Sequence, residues 1–334
     1  TPAQVQVLLQ PVKEVKQIAD IAAAQAILGE TLGAQIVLPA NAFVDAAGIP
    51  ATGSAKLQLT PWDISGDDLQ AMPGNGRAIG ADGQMTDLIS SGMMTVDFID
   101  AQGKHLQLAE GKTAKIRLNL PYDSIGGHKL AVGSEIPLWH FDEALGLWKE
   151  EGKGYVVAAP GTPSGLAVEA EVSHFSTWNW DFVYNESNRL DVKCVDSSNL
   201  PVACYVVANV TLDDGSHLSK SASLPPEGRT IVNLPTNGSV SWVAEDGSGL
   251  KGAATSGVSG SVTIQLEEPP TSNFVSCELS DATPVACRVT LRGIDDSGVE
   301  QILENYIPAG GAKIQTLWKI SSLDWSGIAS EKRL

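Results

Sequence analysis

A repeated cysteine-bearing unit in the C-terminal half constrains the fold of this chain more than any other feature. Residues 194–204 (CVDSSNLPVAC) and 277–287 (CELSDATPVAC) share the spacing C-x9-C, and both place Pro-Val-Ala just before the second cysteine. Two identically spaced pairs predict two local disulfides, Cys194 with Cys204 and Cys277 with Cys287. Because disulfides persist in oxidising compartments, the sequence predicts a secreted, extracellular or cell-surface protein.

Zinc binding is the alternative interpretation of the four cysteines. Structural zinc sites usually combine cysteines two to four residues apart with histidine partners, and this sequence has neither pattern. The five histidines are scattered without metal-ligand spacing: His105, His128, His140, His174 and His217. We therefore expect disulfides at the cysteines, no metal site at the histidines and no catalytic histidine.

One loop carries the weak candidates for a metal site. Asp63, Asp67 and Asp68 in the segment PWDISGDD offer carboxylates, which Ca²⁺ prefers on flexible loops. The segment lacks the ligand order of an EF-hand and its closing glutamate. Calcium is therefore the one cofactor that the sequence leaves open, and ordinary turn formation is the alternative.

Composition limits the architecture and the partners. The 334 residues are enough for two or three domains, and 33 glycines and 18 prolines favour short strands joined by many turns. A net charge of −17 argues against nucleic acid as a partner, since phosphate binding needs a basic surface. No apolar stretch reaches the roughly 18–20 residues that span a bilayer, so no membrane span is predicted.

Alternating hydrophobicity predicts an all-β fold of several β-sandwich domains. Strands are predicted over residues 36–38, 55–59, 94–99 and 114–120, and a hairpin over residues 137–150. One short helix is also expected within residues 13–29, where apolar residues recur three to four positions apart. The predicted organisation, in chain order, is a strand over 1–12, a short helix and linker over 13–33, a large β-sandwich over 34–187, and two disulfide-containing sandwich repeats over 188–268 and 272–334.

Five ordered motifs give residues 34–181 a family resemblance. They are residues 36–45 (IVLPANAFVD), 59–63 (LTPWD), 108–114 (LAEGKTA), the hairpin from PLW at 137–139 to LW at 147–148, and 173–181 (SHFSTWNWD). These motifs resemble a β-rich module of bacterial secreted surface proteins that is related to one in cartilage intermediate layer protein. The two repeats resemble carboxypeptidase-regulatory-like or immunoglobulin-like β-domains. The resemblance implies an extracellular scaffold without catalytic residues, so an enzyme is not expected.

The second repeat lacks a counterpart to one strand of the first, and this difference suggests a mode of assembly. The first repeat continues to the strand-like residues 260–266 (GSVTIQL), for which the second repeat has no equivalent before Leu334. A sandwich without that strand exposes core and unpaired backbone groups. Val5, Val7 and Leu9 alternate as a strand that could fill the groove. The sequence therefore predicts a structural subunit of an extracellular filament or matrix that polymerises head to tail by donor-strand insertion.

Two alternatives remain open at the level of sequence. In the first, the last repeat is simply a shorter sandwich, and residues 1–12 pair within their own subunit. In the second, the chain is a monomeric cell-surface adhesin or carbohydrate-binding module. Trp139 and Trp148 would then be the residues that contact a ligand, with glycans or other matrix components as partners.

Overall fold

The computed structural model describes residues 10–267, 272–278, 283–294, 299–315 and 319–326. These residues form strands joined by turns, with two short 3-10 helices at Asp67–Ala71 and Pro73–Gly76. The predicted all-β, multi-sheet fold class is confirmed. Among the described residues, no helix is long and apolar enough to cross a membrane.

The N-terminal unit contains fifteen strands within residues 14–184. Their bounds are β1 Glu14–Ile18, β2 Gln25–Leu28, β3 Gln35–Leu38, β4 Phe43–Val44, β5 Ala55–Trp62, β6 Arg77–Ile79, β7 Met85–Asp100, β8 His105–Leu108, β9 Ala114–Asn119, β10 Ser124–Ile125, β11 His128–Lys129, β12 Glu135–Asp142, β13 Leu147–Ala158, β14 Leu166–Val172 and β15 Thr177–Tyr184. Thirteen of them form one sheet in the order β1-β5-β7-β15-β12-β13-β14-β9-β3-β2, with β4, β6 and β8 paired beside this path. The predicted strands correspond to β3, β5, β7 and β9, and the predicted hairpin is β12–β13.

The short helix expected within residues 13–29 is wrong, because this segment forms β1 and β2. Strand β1 pairs antiparallel with β5, and β2 pairs antiparallel with β3. In β1 the ends Glu14 and Ile18 are buried while Val15 is exposed, so the spacing of apolar residues that suggested a helix does not describe the buried face. Pairing with neighbouring strands outweighs the weak local preference of an alanine-rich sequence.

The sheet of the N-terminal unit has a core on each side. The larger core contains residues from strands far apart in the sheet order, such as Ile36 and Leu59, and it continues into the next unit through residues such as Leu190. The smaller core surrounds Trp139 and Trp148 and includes Trp62. The sheet therefore bends over itself around the larger core, and apolar side chains cover its other face around Trp139 and Trp148. Elsewhere that face is exposed, as at Lys56 in β5 and Lys115 in β9.

The first repeat consists of two four-stranded sheets. Its strands are β16 Asn188–Val195, β17 Pro201–Val202, β18 Cys204–Thr211, β19 His217–Leu224, β20 Arg229–Leu234, β21 Ser239–Glu245, β22 Lys251–Ser256 and β23 Gly260–Gln265. One sheet has β16 between β20 and the parallel strand β23, with β17 paired to β16, and the other has the order β19-β18-β21-β22. The predicted disulfide between Cys194 and Cys204 joins the two sheets, which confirms that prediction.

The second repeat follows the same plan in its described residues. Its strands are β24 Ser272–Val275, β25 Cys277–Glu278, β26 Pro284–Val285, β27 Cys287–Ile294, β28 Glu300–Ile307, β29 Ala312–Gln315 and β30 Lys319–Ser326. They form the pairs β24–β29 and β25–β26 and the three-stranded sheet β28-β27-β30. The predicted disulfide between Cys277 and Cys287 is also present.

A polar junction joins the N-terminal unit to the first repeat. The side chain of Asn75 exchanges two hydrogen bonds with the backbone of Ser221, at 2.9 and 2.7 Å. Asp87 accepts a hydrogen bond from Asn233 Nδ2 at 2.6 Å and forms an ion pair with the ammonium of Lys220. Direct side-chain contacts therefore fix the first repeat against the N-terminal unit.

Candidate functional site

The two repeats pair their strands in equivalent registers, which allows them to be compared position by position. In β16, Val192 pairs with Arg229, and Val275 in β24 pairs with Ala312, each residue 83 positions further on. The pairing of β18 with β19 recurs between β27 and β28 with the same offset. Strands β24 and β25 together are thus the counterpart of β16.

The edge of the second repeat differs from its counterpart. Strand β16 is paired on both sides, with β20 and the short β17 on one side and the parallel strand β23 on the other. On that second side, residues from Leu190 to Val195 pair with Gly260 to Gln265. Strand β24 pairs with β29, and within the described residues no strand takes the position that β23 has in the first repeat. We call this side of β24 and β25 the free edge.

Residues next to the free edge are less buried than their counterparts. Val192 and Cys194 in the first repeat are fully buried, whereas Val275 and Cys277 in the second repeat are only partly buried. In the first repeat, β23 contributes Ile264 to the core, where this side chain is fully buried. The described core of the second repeat therefore has an incompletely covered side at the free edge.

The predicted donor residues Val5, Val7 and Leu9 lie outside the described residues. The first described residue, Gln10, has its side chain close to Asp68, whose carboxylate also contacts the ammonium of Lys13. The chain is thus attached to the N-terminal unit directly after the predicted donor segment.

The tryptophans predicted to contact a ligand are in the core, which corrects that prediction. Trp139 and Trp148 are fully buried, and their indole N–H groups donate to the backbone oxygens of Asp181 at 3.0 Å and Pro73 at 2.8 Å. A ring enclosed in this way presents no face to a glycan. Both rings lie in the smaller core, where apolar side chains cover this face of the hairpin.

The loop that suggested calcium uses its carboxylates for other contacts. Asp63 accepts hydrogen bonds from the backbone N–H and hydroxyl of Ser65. Asp68 accepts one from the backbone N–H of Asp63 at 2.7 Å and is paired with Lys13. The side chain of Asp67 is not among those that the structure describes. Because N–H donors and an ammonium already hold Asp63 and Asp68, turn formation and the attachment of Lys13 account for both.

A cluster that the sequence reasoning missed lies on the β12–β13 hairpin. His140 in β12, Glu151 in β13 and His174 before β15 bring one donor atom each within 4.8 Å of one another. Glu151 Oε2 is 2.9 Å from His140 Nδ1 and 3.2 Å from His174 Nε2. Intervals of 11 and 23 residues match no metal motif, so no local signal in the sequence indicates this group.

The surroundings of the cluster shift the pKa values of two of its members. Burial, together with the nearby His174, lowers the pKa of His140 below its ordinary value. Burial raises the pKa of Glu151, but hydrogen bonds from Ser173 and His174 outweigh it and hold that pKa below its ordinary value. At neutral pH the arrangement thus favours a neutral His140 beside an ionised Glu151.

Comparisons with known proteins give distant structural likenesses. No family model matches the sequence, and comparison with curated protein sequences finds no match. One solved structure is the pilus backbone RrgB from Streptococcus pneumoniae, with 8% identity and a TM-score of 0.19, covering 73% of this chain and 66% of that chain. The full-length major pilin RrgB matches with 10% identity and a TM-score of 0.19, over 75% of this chain and 50% of that one. The match thus spans less than two thirds of the length of either RrgB chain.

A third structure is the tetra-tandem repeat in the extending region of a large adhesion protein. It has 9% identity and a TM-score of 0.15, and the match covers 91% of each chain. TM-scores this low do not establish a shared fold, so these likenesses carry no weight for the function of this chain.

Proposed function

We propose that this chain is a structural, non-enzymatic subunit of an extracellular filament or matrix whose copies join head to tail. In this arrangement the segment before Gln10 of one copy adds as a parallel strand along the free edge of the next copy. The observation that carries the proposal is the contrast between β16, which has strands on both sides, and β24, which has one described neighbour.

The free edge has the chemistry that a donated strand needs. An edge strand presents a row of N–H and C=O groups that can pair with another chain. Strand addition of this kind takes its affinity from main-chain hydrogen bonds and its specificity from alternate side chains. The partly buried Val275 and Cys277 would become covered by such a strand, as Val192 and Cys194 are in the first repeat.

The donor segment has apolar residues at matching intervals. In the first repeat, Val262, Ile264 and Leu266 face the core at every second position, and Ile264 and Leu266 are fully buried. Val5, Val7 and Leu9 repeat the same spacing. Since side chains alternate between the faces of a strand, all three would point to the same side. One donated strand could thus supply the apolar contacts that β23 supplies in the first repeat.

Donor and acceptor are different surfaces of one chain, which determines the form of the assembly. A contact between unlike surfaces generates a ring if the rotation closes and an open filament if it does not. The two disulfides suit an oxidising, extracellular environment. These two properties support a head-to-tail polymer outside the cell.

Electron microscopy of matched variants tests this proposal. A variant that begins at Gln10 removes the donor residues but keeps the contact of Lys13 with Asp68. Under conditions in which the full chain forms filaments, this variant should remain monomeric with unchanged circular dichroism. Replacing both Val5 and Val7 by aspartate should have the same effect.

The control places the same two charges on the other face of the segment. Gln4 and Gln6 alternate with Val5 and Val7, so replacing both glutamines by aspartate leaves the apolar face intact. This control should still polymerise. Filaments formed by the variant that begins at Gln10, or their loss in both double variants alike, would show that the apolar face of this segment does not make the contact.

A further inference from the structure

We propose that His140, Glu151 and His174 bind a divalent transition-metal ion of the Zn²⁺ type. The ion would tie the hairpin strands β12 and β13 to the segment that leads into β15. This site is independent of the free edge and of strand donation, and it lies on the N-terminal unit.

The donor atoms are spaced as metal ligands are. Zinc bonds to imidazole nitrogen and carboxylate oxygen are about 2.0–2.2 Å long, so neighbouring ligand atoms of a tetrahedral site lie about 3.3 Å apart. Glu151 Oε2 is 2.9 Å from His140 Nδ1 and 3.2 Å from His174 Nε2, and all three atoms lie within 4.8 Å of one another. Small rotations of the side chains are therefore enough to place the three atoms around one ion.

The Nδ1 atom of His140 gives a second, independent observation. This atom is buried and makes no hydrogen bond within the described part of the chain, although Glu151 Oε2 is only 2.9 Å away. The two atoms are close, but their angles are not those of a hydrogen bond. The nitrogen therefore does not direct its proton or lone pair at that oxygen. Buried polar atoms normally have a partner. An ion between the nitrogen and the carboxylate would provide one.

Neighbouring groups hold the ligands in place. Ser173 Oγ donates to Glu151 Oε1 at 2.8 Å, which leaves Oε2 directed towards the two imidazoles. The indole N–H of Trp178 donates to the backbone oxygen of His174 at 3.2 Å, and the Trp178 ring packs against both histidine rings. Metal sites in proteins use such outer contacts to fix the orientation of their ligands.

An irregularity in the β12–β13 hairpin lies beside the cluster. The register of this pair shifts between Pro137 and Trp139, and Gly152 on the opposite strand has a φ of 85°. Bulges of this kind redirect side chains and are common next to functional sites. Glu151 lies within this shift, which therefore helps to set the position of the carboxylate relative to His140.

The ligand set determines the class of ion. Two imidazoles with one carboxylate suit zinc, copper, nickel or cobalt, whereas calcium and magnesium prefer oxygen ligands throughout. Lys149, a cation near His140 that would oppose a metal ion, is itself paired with Asp142 at 3.5 Å. Three protein ligands leave one coordination position for water or another small ligand.

Calorimetric titration of the metal-stripped full chain with ZnCl₂ tests the proposal. We expect one Zn²⁺ bound per chain. The double variant His140→Ala and His174→Ala should weaken this binding at least tenfold. The matched control His105→Ala and His128→Ala removes two imidazoles outside the cluster and should bind as the unmodified chain does. Zn²⁺ should also raise the melting temperature of the unmodified chain and the control, but not that of the double variant.

Glu151→Gln is a second, more conservative test, because it keeps the shape of the side chain and removes its charge. It should melt like the unmodified chain without metal and bind Zn²⁺ at least tenfold more weakly. The proposal is wrong if the unmodified chain binds no Zn²⁺, or if the cluster variants bind it as tightly as the His105 and His128 control.

Discussion

At the scale of single residues, the sequence does not show which ionisable side chains are buried in the folded chain. The carboxyl of Asp181 is fully buried, and Asn179 Nδ2 donates to its Oδ2 at 2.6 Å, while its Oδ1 has no hydrogen bond among the described residues. Five of the eight residues in the stretch around it, 177–184 (TWNWDFVY), are apolar or aromatic. That an aspartate in it faces inward could not be predicted, because the register shift between Trp180 and Asp181 changes which residues face the core.

Asp181→Asn should stabilise the protein at neutral pH. Burial raises the pKa of this carboxyl well above its ordinary value. An acid with a raised folded pKa costs stability as the pH rises above its unfolded pKa, because folding must then either bury a charge or take up a proton. At pH 7 the variant should have a free energy of unfolding at least about 1 kcal/mol higher than the unmodified chain.

Urea unfolding at pH 7 and at pH 4 measures this effect. The advantage of Asp181→Asn should shrink at pH 4, where the carboxyl is protonated in the folded chain. Asp123→Asn, at an exposed position, is the control and should change stability equally little at both pH values. An unchanged or lower stability of Asp181→Asn at pH 7 would mean that the buried carboxylate is compensated within the core.

At the scale of elements, strands with clear alternation are predictable and the N-terminal segment is not. Alternating apolar and β-branched residues predict all of β9, but only residues 55–59 of β5 and 94–99 of β7. Strand β1 contains a buried glutamate, which breaks the expected pattern. Glu14 accepts hydrogen bonds from the backbone N–H groups of Glu30 and Thr31, at 2.8 and 3.0 Å, so its burial depends on a loop distant in sequence.

Glu14→Ala should destabilise the N-terminal unit because it leaves those two N–H groups without their acceptor. We expect a loss of about 1–3 kcal/mol in the free energy of unfolding at pH 7. Gln17→Ala in the same strand is exposed and should change it by less than about 0.5 kcal/mol.

Acid should reduce the effect of Glu14→Ala. Burial raises the pKa of Glu14, but hydrogen bonds from Glu30 and Thr31 and the charge of Lys16 outweigh it and lower the pKa below its ordinary value. A lowered folded pKa gives stability that is present above the unfolded value and is lost as the pH falls through the folded value. Urea unfolding at a series of pH values, from neutral into the acid range, measures this trend. Equal losses in the free energy of unfolding for Glu14→Ala and Gln17→Ala at neutral pH would contradict the role of Glu14.

At the scale of the whole molecule, the sequence predicts the repeat and its disulfides but not the contacts between distant segments. Cysteine spacing is a local property of the sequence, so both bridges were predictable. His140, Glu151 and His174 meet only because β12, β13 and β15 become neighbours in the sheet. The polar junction around Asp87 and Asn75 likewise joins residues 133 and 146 positions apart, which no local pattern records.

The central claim is that the segment before Gln10 of one copy pairs with the free edge of another. Hydrogen–deuterium exchange measures it most directly, on the variant that begins at Gln10, with and without a peptide of residues 1–9. Backbone amides that gain hydrogen bonds exchange more slowly. We expect the peptide to slow exchange in residues 272–278 and to leave the first repeat, where β23 already covers β16, unchanged. A peptide with aspartate at Val5, Val7 and Leu9 should have no effect. Unchanged exchange in residues 272–278, or protection confined to the N-terminal unit, would contradict the claim.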